Sequence, residues 1–169
     1  LMDFLIATDI TGDYDGLMTV KAYRDLDTKL FWGPVWDKDL AIGNYDNSND
    51  EKLVMDIGNA SSISSYVQNI MKDPLFTKKI AEKMKTLYDG GLYTRLSNNI
   101  DDIVNGIKKT WALNYEKWGD ASLGMETQYN LGKLDTYVAN IKEWLKKRIK
   151  FVNDQYTSIA NKYATKSTE

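Results

Sequence analysis

The most informative part of this sequence is the stretch Gly33-Pro34-Val35-Trp36-Asp37-Lys38-Asp39-Leu40-Ala41-Ile42-Gly43-Asn44. Its Gly-Pro pair interrupts an extended segment, and two carboxylates, Asp37 and Asp39, follow. On a regular strand these side chains would point to opposite faces, but a turning backbone can bring both to one Mg²⁺ ion, which prefers oxygen ligands. The same pattern is also typical of a turn whose carboxylates bond to backbone amides. The stretch therefore indicates either a metal loop or a purely structural turn.

A second acidic turn, Thr11-Gly12-Asp13-Tyr14-Asp15-Gly16, lies upstream. Between the two acidic segments, residues 17–23 and 29–32 are rich in apolar and β-branched side chains around a short polar turn, which predicts a β-hairpin. The separation of Asp15 and Asp37 is 37 − 15 = 22 residues, about the length that two short strands and a turn require. This order of parts is that of a kinase catalytic loop and metal loop, in which the first Asp orients the acceptor hydroxyl and the later Asp holds Mg²⁺.

The remainder of the chain predicts helices, and residues 2–10 also have near-helical apolar spacing. Asp73-Pro74 combines an acidic N-cap with Pro at the first helical position, and Gly90-Gly91 ends that helix. A last helix is predicted from about Asn130 to about Tyr163, with an apolar stripe that we expect to pack against the helix beginning at Leu92. Its run Lys146-Lys147-Arg148 is interpreted as a solvated face. We therefore predict a mainly α (α+β) fold: a short β-hairpin and metal loop followed by a bundle of four or five helices.

Composition narrows the possible chemistry. The 169 residues are 43% hydrophobic and 27% charged, which is typical of one soluble domain that can bury a core. Lys plus Arg number 22 and Asp plus Glu number 24, so the chain lacks the basic excess of a nucleic-acid-binding protein. The absence of His and Cys excludes a Ser-His-Asp triad, a thiolate nucleophile and a disulfide scaffold. Without His and Cys, catalysis would depend on carboxylates, hydroxyls, amides, Lys, Arg and a borrowed metal or cofactor. The apolar runs are far shorter than a membrane span requires.

The stretch at 33–44 resembles the signature of the spore coat protein H (CotH-like) kinase family, Gly-Pro-(Val/Ile)-Trp-Asp-Phe-Asp-Leu-Ala-(aromatic)-Gly-Asn. The turn at 11–16 resembles that family's Gly-Asn-x-Asp catalytic turn. The helices are also similar, including Asp73-Pro74-Leu75-Phe76 and Lys142-x-x-Leu145-x-x-Arg148. The resemblance implies a protein-kinase-like C-lobe in a single domain, with the catalytic turn, hairpin and metal loop at 1–60 and the helical region at 61–169.

The resemblance also implies roles for individual residues. Asp15 matches the catalytic Asp, and Asp37 and Asp39 match the metal-binding pair. Lys38, which replaces the usual Phe, and Asn44, which closes the block, are assigned to cofactor binding. Lys38 would either donate a hydrogen bond to phosphate or, as a positive charge between two metal ligands, weaken Mg²⁺ binding. Two further departures are Asp13 in place of the usual Asn, and Thr19 at the position where a polar metal ligand is expected.

As a member of such a family, the parent protein would use Mg²⁺ and ATP to phosphorylate Ser or Thr of a surface or extracellular protein. The present chain would be the C-terminal part of the kinase domain. It would be inactive alone, and its partners would be the N-terminal lobe of the same protein and the protein substrate, without nucleic acid or a membrane span. The alternative is a non-catalytic cell-surface module that binds protein or glycan on a degenerate kinase-like fold.

Overall fold

The computed structural model describes residues 1–13, 15–33, 36, 38, 41–43, 51–56, 62–118 and 134–164. Within these ranges the protein is mainly helical, with one small two-stranded sheet. The elements, in chain order, are α1 (Met2–Thr11), β1 (Ala22–Tyr23), β2 (Phe31–Trp32), a 3-10 turn (Val54–Asp56), α2 (Ser62–Ile70), α3 (Pro74–Asp89), α4 (Leu92–Trp118) and α5 (Leu134–Ala164). The predicted fold class, helices with a short hairpin, is therefore confirmed.

Helix α3 begins and ends where its sequence signals predict. The Asp73 carboxylate accepts a hydrogen bond from the backbone N–H of Phe76 at 2.7 Å, and Pro74 occupies the first helical position, where a missing N–H costs nothing. At the other end, Gly90 N–H donates to Thr86 O, and the chain turns through Gly91 into α4. Capping chemistry alone therefore fixes the α3 boundaries.

A single core joins α1, the 3-10 turn, α2, α3 and α5. Its buried apolar side chains are Leu5, Ile6, Ile10, Leu17, Leu53, Val54, Val67, Met71, Ile80, Met84, Leu145, Ile149, Val152 and Tyr156. Leu17 and Leu53 belong to this set, so the residues that follow the acidic turn (11–16) and those that follow the acidic loop (33–44) are anchored in the same core as the helices. No helix among the described residues has the length and apolarity needed to cross a membrane.

The hairpin is much shorter than the sequence predicts. In the described part of the chain, two pairs form the antiparallel ladder, Ala22 with Trp32 and Tyr23 with Phe31. The prediction of an extended strand from residue 17 is wrong at its first residues. The backbone N–H groups of Met18 and Thr19 both donate to Asp15 O at 2.8 Å. These bonds fold residues 15–19 into a tight turn and leave a strand of two residues.

The expected neighbour of the α5 stripe is also corrected. Helix α5 packs most extensively against α3 and makes a smaller contact with α4. The reason is that α3 presents a fully buried face containing Ile80 and Met84, whereas α4 leaves Ile103 and Leu113 largely exposed. The central helical pair of the fold is therefore α3 with α5.

Candidate functional site

Residues 12–16 carry the predicted catalytic Asp15 and are called the catalytic turn for that predicted role; the described residues 12, 13, 15 and 16 bend sharply after α1. Gly12 ends the helix in the left-handed conformation at φ 58°, which glycine adopts without steric cost. Gly12 N–H donates to Asp9 O at 3.2 Å, and Asp13 N–H donates to Thr8 O at 3.1 Å. These bonds fix the exit direction of the chain and place Asp15 at the start of the next tight turn, with a half-buried side chain.

Asp13 is buried in the middle of this turn. Its side chain is 1% exposed, and one carboxylate oxygen, Oδ2, forms an ion pair with Lys38 Nζ. Gly16 covers the carboxylate so closely that a Cβ there would lie 2.5 Å from Asp13 Oδ2. Among the described residues, the other oxygen, Oδ1, has no hydrogen-bond partner. Asp13 therefore acts as an internal anion that attracts a cation from the acidic loop.

The acidic loop contacts the catalytic turn and the adjoining end of α1 at two described points. The first is the Lys38–Asp13 ion pair, which joins residues 25 positions apart. The second is the backbone of Ile42, whose N–H donates to Thr11 O at 2.6 Å. The side chain of Lys38 is 29% exposed, so its ammonium lies between the buried carboxylate and solvent. The structure thus places the middle and the end of the predicted metal loop against the turn that carries Asp15.

Three predicted site residues, Asp37, Asp39 and Asn44, lie outside the described residues. Their metal-binding and cofactor-binding roles stay predictions. The described part of the chain contains no group of three or more acidic residues close enough to hold a metal ion. Thr19 is described, and its hydroxyl donates to Asp15 O at 3.0 Å, so its proton supports the turn while its oxygen keeps lone pairs to offer.

Sequence reasoning missed a buried polar cluster beneath the turn. Asp9, in the last part of α1, accepts hydrogen bonds from Tyr156 Oη at 2.5 Å and from Val54 N–H at 2.6 Å. Burial raises the pKa of Asp9 to about 6, and the hydrogen bonds from Tyr156 and Val54, with the nearby Arg148, oppose that rise. Burial and the neighbouring Asp9 carboxylate also raise the pKa of Tyr156 well above its usual value. The cluster ties α1 to α5 directly below the catalytic turn.

Arg148 belongs to the same region, and its interpretation as part of a solvated face is wrong. Its side chain is 2% exposed. Nε donates to Asp9 O at 2.6 Å, and Nη1 donates to Lys52 O at 2.8 Å. The available signal was its register: Arg148 shares a helical face with Leu145 and Val152, so an isolated charge among apolar positions indicated a buried role.

The arrangement can now be assigned to a class. An Asp-bearing turn after a helix, a short hairpin, and an acidic loop that returns to the turn, all supported by a helical body, match the C-lobe of a kinase-like protein. A family model described as CotH kinase protein matches residues 1–152 of the 169, so this chain belongs to the CotH kinase family. Comparison with curated proteins and with solved structures gave no match.

Proposed function

We propose that this chain carries the catalytic turn and metal loop of a protein kinase that transfers the γ-phosphoryl group of ATP to Ser or Thr. Membership of the CotH kinase family supports a kinase-like activity. The observation that carries the proposal is the contact between Asp13, two residues before Asp15, and Lys38, which follows Asp37 in the chain. Phosphoryl transfer needs an orienting carboxylate and a metal loop in one place, and this ion pair brings the two segments together.

In this proposal Asp15 orients the acceptor hydroxyl and receives its proton. The Asp15 side chain is half-buried, and no hydrogen bond or ion pair from a described residue occupies its carboxylate. Its backbone carbonyl is fully engaged instead, by Met18 N–H, Thr19 N–H and the Thr19 hydroxyl. The turn therefore fixes the backbone of Asp15 while leaving its carboxylate available to a substrate.

Asp37 and Asp39 are proposed to hold Mg²⁺ and, through it, the ATP phosphates. The donors in this region are carboxylate oxygens, which suit Mg²⁺. Asp13 is not assigned to the metal, because Lys38 already neutralises it. Lys38 is proposed to reach a phosphate oxygen from that anchored position, and Asn44 to close the loop. Mg²⁺ would supply charge neutralisation at the phosphates.

The class of protein that accepts the phosphate and the cellular location of the kinase are proposed from membership of the CotH kinase family. Its name refers to a spore coat protein, which favours a Ser- or Thr-containing protein at a cell or spore surface as substrate. In protein kinases a glycine-rich loop and a strand lysine of the N-lobe grip the nucleotide. The residues matched to the kinase signature belong to the C-lobe, and we expect C-lobe residues alone to bind Mg²⁺-nucleotide weakly and to be active together with an N-lobe.

The test compares substitutions in the full-length protein that keep side-chain shape and remove one negative charge. Asp15→Asn is expected to lower phosphate transfer from labelled ATP to a Ser-containing acceptor by at least about 100-fold, the lower end for a proton-transfer residue. Asp37→Asn is expected to lower it by a similar factor, because it removes an anionic ligand of Mg²⁺. Asp27→Asn is the matched control, because Asp27 is exposed in the hairpin turn at φ 59°, a conformation that Asn tolerates. Melting temperatures of all three variants are measured alongside.

Full activity of Asp37→Asn would show that Asp37 is not a metal ligand. Complete inactivity of the unsubstituted full-length protein, with Mg²⁺ and ATP present, would reject phosphoryl transfer. It would favour a binding module on the same fold.

A further inference from the structure

We infer that Trp144 and Arg148, one turn apart on α5, are positioning residues that set the separation between the catalytic turn and the acidic loop. The geometry of the described residues supports the existence of this separation. Its effect on phosphate transfer rests on the proposed function. Neither side chain is assigned a direct role with substrate.

The Trp144 indole is wedged between two glycines, one from each segment. A Cβ on Gly12 would lie 2.9 Å from Trp144 Cη2 and 3.1 Å from Cζ2, at the six-membered end of the ring. A Cβ on Gly43 would lie 2.9 Å from Nε1 and 3.0 Å from Cδ1, at the five-membered end. The two ends of one rigid ring therefore contact the catalytic turn and the end of the acidic loop. The indole acts as a spacer between them.

Arg148 also links the two sides, through hydrogen bonds to α1 before the catalytic turn and to a residue after the acidic loop. It lies four residues after Trp144, on the same face of α5. Its guanidinium donates to Asp9 O, at the end of α1, and to Lys52 O, at the far side of the acidic loop. A planar guanidinium can serve two carbonyls in fixed directions, which a lysine ammonium cannot do with the same geometry. Trp144 thus limits how closely the segments approach, and Arg148 limits how far they separate.

Gly43 and Gly91 both have a positive φ, so Gly91 provides a matched control for Gly43. Gly43 has φ +71° and Gly91 has φ +74°, so alanine at either position pays a similar backbone cost. The Cβ of Gly91 would meet nothing within 4 Å, whereas that of Gly43 would meet the indole. The excess effect of Gly43→Ala over Gly91→Ala therefore measures the contact with Trp144.

The separation can be measured without any enzymatic assay. The chain has no cysteine, so Met18→Cys after the catalytic turn and Glu51→Cys after the acidic loop can carry nitroxide labels at exposed positions. Trp144→Phe removes the six-membered end of the spacer. We expect the spin–spin distance distribution to shift or broaden by on the order of 1 Å or more, a displacement sufficient to impair catalysis. Trp111→Phe, the same substitution on α4, should leave the distribution unchanged.

A cycle of substitutions separates spacing from general destabilisation. Gly12→Ala should displace the label pair in the native background, because its Cβ collides with the indole. The same substitution combined with Trp144→Phe should narrow the distribution again, since the new methyl group enters the vacated space. Arg148→Lys should also broaden the distribution. If it prevents folding, the Trp144 and Gly12 variants still decide the question.

The kinetic expectation in the full-length protein is a fall in kcat of about 10- to 100-fold for Trp144→Phe, with KM for ATP changed less than about threefold. An unchanged distance distribution for both Trp144→Phe and Gly43→Ala would overturn the inference. So would equal effects of Gly43→Ala and Gly91→Ala. If the full-length protein transfers no phosphate but the distances respond as expected, the proposed function fails while the spacer role stands.

Discussion

The Asp9→Asn substitution is expected to make the stability of the protein less dependent on pH. In the unfolded chain Asp9 releases its proton near its ordinary pKa of 3.8, and in the folded protein it releases it at about 6. Between these values the folded state binds more protons than the unfolded state. The free energy of unfolding therefore decreases as the pH rises through this window.

The size of the effect follows from the difference of about 2 pKa units. Each unit corresponds to about 1.4 kcal/mol, so this carboxyl contributes about 3 kcal/mol of stability below pH 4 that is lost as the pH passes through 6. Asn carries no charge at any pH. Its amide oxygen can still accept from Val54 N–H, and its NH₂ group can donate to Tyr156 Oη. A change in hydrogen bonding alters the free energy of unfolding of Asp9→Asn by the same amount at every pH. The pH dependence therefore reports the charge of the Asp9 carboxylate.

The assay is urea unfolding followed by the fluorescence of the five tryptophans, at fixed ionic strength between pH 3.5 and 7.5. The quantity of interest is the free energy of unfolding of the native protein minus that of Asp9→Asn. This difference cancels groups that titrate independently of Asp9. Asp56, whose pKa is also raised by burial, adds to the raised pKa of Asp9 and is therefore part of the measured effect. The difference should fall by about 3 kcal/mol from low to high pH. A flat difference would refute a raised pKa for Asp9, and a difference that rises with pH would show a lowered one.

Three further substitutions test packing, capping and the ion pair, each by the change in the free energy of unfolding in urea. Leu145→Ala truncates a side chain that is 4% exposed in the core and should cost about 2–5 kcal/mol, whereas a change near zero would remove it from the core. Asp73→Ala removes the acceptor for Phe76 N–H and should cost about 1 kcal/mol, most of which Asp73→Asn should retain. Lys38→Met leaves the buried Asp13 carboxylate unpaired and should cost about 3 kcal/mol, the lower end for a broken buried pair because Lys38 is 29% exposed. Adding Asp13→Asn to Lys38→Met should recover part of that loss, and no recovery would mean that the pair carries no such energy.

The sequence predicted the helical elements well because their signals are local. Asp73-Pro74 and Gly90 determine the ends of α3 through capping and backbone conformation, which involve residues within one turn. The hairpin was overestimated because residues whose types favour a strand form a turn instead. Thr19 has a β-branched side chain, but its backbone and hydroxyl both bond to Asp15 O, and that competition between turn and strand depends on local hydrogen bonds that residue type alone does not decide.

Motif order predicts Asp15 and the acidic loop as parts of the candidate site, and their roles stay predictions. The contacts between these segments were not predictable from the sequence. The partner of Asp13 could not be found, because Lys38 lies 25 residues away and reaches it only after the loop folds back. Arg148 was misinterpreted because it follows two exposed lysines, Lys146 and Lys147. A helix rotates by about 100° per residue, so one charged residue of such a run can enter the core while its neighbours stay in water.

The contacts between α1 and α5 have a consequence for biosynthesis. Arg148 and Tyr156 bind Asp9 across sequence separations of 139 and 147 residues, so the bend that carries Asp15 gains its buried support only when nearly all of this sequence is available. Closing so long a loop carries an entropic cost that local helix formation does not. During synthesis on the ribosome, α1 can therefore become helical early. Its C-terminal end stays without buried support until α5 has left the exit tunnel. A stop codon before Trp144 would yield a chain that can form helices but lacks the buried support beneath the bend that carries Asp15.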